Sequence, residues 1–178
     1  MKKQIQHEVL IKFIETENPR QLDNMLYNFE KHLDELKYEY FLKETENPFI
    51  YFIEYPKPNE LIKITNTENL KIEDIKEVTC TINNLNHISY TIIEKIRYKI
   101  TPTDTFKINI HKDSYIPYEN IINTHTEITN AICNILYISE SSNDPTWDIN
   151  IHLIGELCAI SIKRSNKNRN KFSQYTFT

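Results

Sequence analysis

Thr103-Asp104-Thr105-Phe106-Lys107-Ile108-Asn109-Ile110-His111-Lys112 is the stretch from which the fold of this chain is read. Phe106, Ile108 and Ile110 alternate with Lys107, Asn109 and His111, a period of two that puts apolar side chains on one face of a strand and polar ones on the other. Such a strand needs cover on one side only. Trp147, Ile149, Ile151 and Leu153 repeat the pattern against Asp148, Asn150 and His152. Between the two strands, Thr124-His125-Thr126-Glu127 has capping-box spacing ahead of Ile128, Ala131, Ile132, Ile135 and Leu136, which predicts a helix starting there. Upstream, Asn86 is the expected cap of a helix with Ile88, Ile92, Ile93, Ile96 and Ile100 on one face and Lys95 and Lys99 on the other. The single glycine, Gly155, precedes a further strand over residues 157–163, where a tight hairpin turn needs positive φ. Residues 84–178 therefore read as α-β-α-β-β.

The first half reads differently. Residues 7–14 form a strand with Val9, Ile11 and Phe13 on one face. Asn18 caps and Pro19 opens a helix in which Leu22, Met25, Leu26, Phe29, Leu33 and Leu36 recur at spacings of three and four. Residues 38–43 and 49–55 are aromatic-rich strands joined by the turn cluster Glu44-Thr45-Glu46-Asn47-Pro48. A weak helix over 59–68 and a strand over 77–82, with Val78, Cys80 and Ile82 inward, complete the series. The order βαββαβ is ferredoxin-like. The expected class is α+β: a ferredoxin-like domain over 1–83, then a second α/β domain over 84–178 that ends in a basic tail.

Composition narrows the chemistry. At 39% hydrophobic and 26% charged the chain is globular. One glycine leaves no material for a Gly-rich phosphate loop, a dinucleotide fingerprint or a Gly-x-Ser-x-Gly elbow. No apolar run approaches the roughly 20 residues of a membrane span, and Met1-Lys2-Lys3-Gln4-Ile5-Gln6 does not lead into a secretory signal. A cytoplasmic protein with no membrane partner is expected. Cys80, Cys133 and Cys158 sit in apolar stretches as small hydrophobes, so neither a disulfide nor a zinc framework is expected. Asp34-Glu35 and Glu73-Asp74 read as solvated surface, and no nucleophile lies in a recognisable motif. No catalytic residue, metal or cofactor is expected. His111, His152 and Asp148 would approach a metal-ligand set only if their strands were neighbours, which the sequence does not fix; the face they share reads as solvated.

The formal net charge of −4 conceals an uneven distribution. Lys163, Arg164, Lys167, Arg169 and Lys171 lie in residues 159–178, where there is no acidic residue. Ser165, Asn166, Asn168 and Asn170 are interleaved with them, and Phe172 and Tyr175 follow. Read functionally, this is an arm that contacts phosphates and stacks on unpaired bases; read blandly, it is a frayed tail. Lys107, Lys112, Lys95 and Lys99 are the further candidate RNA contacts.

Residues 103–112 resemble the central strand of a THUMP domain, in which an acid-Thr-Phe-Lys-Val strand runs into basic residues. Thr124-x-x-Glu127-Ile128 resembles that family's Ser-x-x-Glu-Ile helix start. Asn143-Asp144-Pro145-x-Trp147 resembles its Asn-Pro-Asp turn, and Ile151-x-Leu153-Ile154-Gly155-Glu156-Leu157-x-Ala159-Ile160-Ser161 its closing hairpin. The resemblance spans residues 84–164, and the ferredoxin-like half stands where THUMP proteins carry theirs. It implies RNA binding in the setting of tRNA modification. Lacking an enzyme motif, the chain resembles the stand-alone adaptors that deliver tRNA to an acetyltransferase making N4-acetylcytidine. The implied partners are tRNA and such an RNA acetyltransferase or another tRNA-modifying enzyme. The alternative is a protein-interaction module that docks on the enzyme while the enzyme holds the tRNA. Where the family usually has paired arginines, this chain has His111-Lys112-Asp113.

Overall fold

The computed structural model describes residues 7–63, 70–113 and 121–165. Strand β1 (His7–Phe13) leads into helix α1 (Pro19–Glu35). Asn18 caps this helix, its side chain accepting from the Arg20 amide at 3.1 Å, and Pro19 needs no donor at the first position. Met25, Phe29 and Leu33 are the buried side chains of α1. The hairpin of β2 (Phe41–Glu44) and β3 (Ile50–Tyr55) follows, then a short α2 (Pro58–Lys63) and β4 (Ile72–Ile82). The second half runs α3 (Leu85–Ile96), β5 (Thr105–Lys112), α4 (Ile121–Leu136), β6 (Ser139–Glu140), β7 (Trp147–Ile154) and β8 (Leu157–Arg164).

All the described strands join one eight-stranded sheet of order β2-β3-β1-β4-β8-β7-β5-β6. The α+β class holds, as does its division into a ferredoxin-like βαββαβ module and a THUMP-like α/β part. Strand β4 is the seam. It pairs with β1 along its first part, then with β8 from Thr79 to Ile82, opposite Ile160 to Leu157. Three cores follow from this layout. Val9, Ile11, Phe13, Phe29 and Leu33 lie in the core of the first module, where the Phe13 ring meets Phe29 and Tyr51 edge to face, with centroids 5.8 and 5.9 Å apart. The isoleucines of α3 and α4 cover Phe106, Ile149, Ile151 and Ile160. The third core lies on the opposite face of the first module, where Ile154 and Ala159 of the β7–β8 hairpin pack on Leu10, Ile50, Phe52 and Val78. That hairpin therefore ties the two halves together.

Several local expectations shift. Strand β4 starts at Ile72, ahead of the expected residue 77, because Glu73, Asp74 and Lys76 interrupt the apolar alternation that would have revealed it. Ile82, expected inward, is 57% exposed at the last residue of the strand. The cap of α3 is Asn84, whose side chain accepts from the Asn86 amide at 3.0 Å, and Ile100 lies beyond the helix end. Helix α4 begins at Ile121, so the Thr124–Glu127 spacing falls inside it and does not start it. Helix α2 is described only to Lys63; the rest of the expected 59–68 helix lies outside the described residues. Gly155 takes φ +59° at the β7–β8 turn, and a Cβ there would run into the Glu46 carboxylate. No described helix is long and apolar enough to cross a membrane.

Candidate nucleic-acid interface

Strands β5, β7 and β8 lie side by side. Their register sets three rows across the sheet face turned away from α3 and α4. The first row is Lys107, Asp148 and Lys163; the second is Asn109, Asn150 and Ser161; the third is His111, His152 and Ala159. Alternation along each strand is what brings these side chains to one face.

The first row floors a groove of about 310 Å³ whose lining includes Lys107, Asn109, Asp148, Lys163, Arg164 and Ser165. Arg164 is held in place there. Its guanidinium lies over the Trp147 ring, 5.3 Å from the centroid, and 3.8 Å from Asp104 Oδ2. Asp104 is itself fixed: the Trp147 indole N–H donates to it at 2.9 Å, and the Thr101 hydroxyl and amide donate at 2.7 and 3.2 Å. Burial works to raise the Asp104 carboxyl, but those hydrogen bonds outweigh it and hold the group below the usual carboxylate range.

On the other side of β8 the sheet splits. Beyond Thr79 and Ile160 strands β4 and β8 no longer pair, and a cleft of about 790 Å³ opens between them. Consecutive residues 75–79 and 160–163 line it, so it lies against the strand edges. Lys95, Lys99 and Lys163 border it as well. Lys163 thus belongs to both concavities. Among the described residues, Lys95, Lys99, Lys107 and Lys163 have no ion-pair partner.

The candidates picked from sequence therefore fall into distinct places. Lys107, Lys163 and Arg164 share the groove, while Lys95 and Lys99 join Lys163 at the cleft. Lys112 is exposed at the far end of β5, roughly 16 Å along the strand from Lys107. It belongs to neither concavity. Lys167, Arg169 and Lys171 lie outside the described residues.

His152, expected in solvent, is buried with Asp113 where the two halves meet. Its Nδ1 is 2.5 Å from Asp113 Oδ2 and its Nε2 is 3.2 Å from the Lys76 ammonium, which also pairs with Asp74. Lys12 reaches Asp113 Oδ1 at 3.2 Å and Glu73 at 3.4 Å, and the Asn47 amide donates to the Asp113 carbonyl at 2.8 Å. Burial pushes the His152 imidazole below its ordinary value despite the adjacent carboxylate. Burial alone would raise Asp113, yet the His152 hydrogen bond and the charge and hydrogen bond of Lys12 hold it low. The neutral ring then donates from Nδ1 to Asp113 and accepts at Nε2 from Lys76. Sequence spacing gave no sign of this cluster, because its members come from β1, the β2–β3 turn, β4, the end of β5 and β7.

The strands carrying His111 and His152 do prove to be neighbours. Their rings stack, with centroids 4.4 Å apart and planes 10° from parallel. Asp148 is two rows away, and no group of three side chains able to hold a metal occurs among the described residues.

No family model and no curated protein matches this chain. Solved structures do. PH1313 from Pyrococcus horikoshii Ot3 superposes with a TM-score of 0.66 at 12% identity, over 89% of this chain and 54% of that one. A 4-thiouridine synthetase, solved as an RNA complex with bound ATP, gives 0.57 at 13% identity, over 89% and 41%. TrmN from Thermus thermophilus gives 0.51 at 9% identity, over 89% and 46%. At these identities the likeness is one of fold. The chain spans about half the length of these proteins or less.

Proposed function

We propose that this chain is a non-catalytic RNA-binding protein of the THUMP kind. In this reading it takes tRNA as its ligand and presents it, in the cytoplasm, to a modification enzyme such as an N4-acetylcytidine acetyltransferase. The observation that carries the reading is the groove in which Lys107, Lys163 and Arg164 converge beside the unpaired Lys95 and Lys99, in a chain that is acidic overall. Three cations lining one groove, Lys107 and Lys163 from its floor and Arg164 from the strand edge, neutralise phosphates and release counterions without selecting a sequence. Arg164 rests on the Trp147 ring, so less freedom is lost when it meets a phosphate. The likeness to a synthetase solved with RNA supports the same ligand class. The division near residue 83 and the contribution of Lys112, Lys167, Arg169 and Lys171 belong to this proposal.

Two measurements test the non-catalytic and adaptor parts. Purified protein given tRNA, acetyl-CoA and ATP is expected to bind the tRNA weakly, with a dissociation constant on the order of micromolar or above, and to form no modified nucleoside. A product on the tRNA would overturn the non-catalytic part. Nucleoside mass spectrometry of a deletion strain is expected to show tRNA without N4-acetylcytidine, and unchanged N4-acetylcytidine would remove the acetyltransferase from the reading.

A further inference from the structure

The groove accounts for phosphates, but the second and third rows of the same face carry no lysine or arginine. Their chemistry is of another kind. His111 is exposed, and one side of its ring is covered by the parallel ring of His152. Asn150 Oδ1 holds His111 Nε2 at 3.2 Å, while Asp113 and Lys76 hold His152 from beneath. The outer side of the His111 ring is therefore a flat surface fixed in orientation before any ligand arrives. In the second row, Asn109 Nδ2 donates to Asp148 at 2.7 Å and to Asn150 at 3.3 Å. That leaves Asn109 Oδ1 and Asn150 Nδ2, an acceptor and a donor, with no partner among the described residues.

We propose that this part of the sheet face takes unpaired RNA bases, with one base stacked on the outer side of His111 and its neighbour hydrogen-bonded by the Asn109 and Asn150 amides, while Lys107 and Lys163 hold the backbone. The proposal rests on the RNA-binding reading above and adds the ligand's form: a single strand, contacted through its bases as well as its phosphates. Rows two residues apart along a strand are roughly 7 Å apart, a step that an extended nucleotide chain spans. A duplex keeps its bases stacked on each other and cannot offer a π-face to His111. A single strand can, and stacking on a ring accepts any base, whereas the amide pair selects among base edges. Charge points the same way: Lys107 and Lys163 in the first row have no ion-pair partner among the described residues, and the one carboxylate of the rows, Asp148, is already engaged by Asn109.

The test uses the full chain, an unstructured single-stranded oligoribonucleotide and a blunt RNA duplex of the same composition. Fluorescence anisotropy over a salt series is expected to show tighter binding to the single strand. His111→Ala is expected to weaken that binding about tenfold with the salt slope unchanged, because no phosphate contact is lost; His111→Phe is expected to restore it. NMR of the parent protein reads the same contact without a substitution: the His111 ring protons should move upfield as the oligonucleotide is added. Equal affinity of His111→Ala and parent for the single strand, or His111 resonances that stay in place while RNA binds, would overturn this proposal and leave the groove reading intact. Failure of the parent to bind either RNA would overturn the RNA reading, and this proposal with it.

Discussion

Asp113→Ala is expected to cost about 4 kcal/mol of folding stability, the largest single effect among polar positions, because it strips the charge partner from a buried cluster. Lys12, His152 and Asn47 all converge on this residue from other elements. Asn47 binds the backbone carbonyl and keeps its contact in the variant. Lys12 retains Glu73 in part, but His152 loses the acceptor for its Nδ1 proton in a site that water barely reaches. Urea unfolding reads this directly; a loss under about 1 kcal/mol would mean the cluster behaves as a surface ion pair. Acidification acts on the same cluster with a definite sign. His152 is held below its ordinary value, so from about pH 6.5 down to its folded value the unfolded chain binds a proton that the folded chain refuses. Stability falls as pH falls through that window. Asp113 is held low too, so its contribution is complete above about pH 4 and is lost as pH falls through its folded value. Urea midpoints of the parent should therefore drop in two steps between neutral and strongly acid pH, and the lower step should be smaller in Asp113→Ala.

Asp104→Ala is expected to cost about 3 kcal/mol, since the Trp147 indole N–H would be left in the core without an acceptor while the Thr101 contacts vanish as well. Asp104→Asn keeps an acceptor and should cost less than half as much. The two variants also share a consequence for the interface. Each removes the negative charge 3.8 Å from Arg164, so RNA affinity should stay level or rise in both, provided the protein is folded. A drop in affinity in Asp104→Asn, with melting close to that of the parent, would mean that Arg164 needs Asp104 to hold its orientation.

Alternation and helical periodicity carried the architecture well. The strands at Phe106 and Trp147 and the helix at Phe29 were legible because each presents one apolar face to a core, and the turn at Gly155 because its backbone requires positive φ. Legibility failed where tertiary pairing replaced pattern. The first half of β4 carries Glu73 and Lys76, which meet Lys12 of β1 and His152 of β7, and Asp74, which pairs with Lys76, so its alternation is broken. Thr124 and Glu127 match a capping box inside a helix, a coincidence that a four-residue signature allows. His152 sits on the polar register of its strand, and only the contact between the two halves buries it. At the interface, sequence supplied Lys107, Lys163 and Arg164 as separate candidates. Their convergence depends on β5, β7 and β8 being neighbours in one register, and Asp104 and Trp147, which brace Arg164, gave no local signal of that role.

The central claim, that this chain binds RNA through the groove on β5 and β8, is tested most directly by a salt series of tRNA binding, with duplex DNA as control, on the parent and on a protein in which Lys107, Lys163 and Arg164 are all changed to Gln. The substitutions keep hydrogen-bonding capacity and remove three charges. The account predicts that the parent prefers tRNA and that the variant, melting like the parent, binds more weakly, with a log–log salt slope shallower by about 2. A folded variant with the parent's affinity and slope, or a parent that binds tRNA no better than duplex DNA, would contradict it.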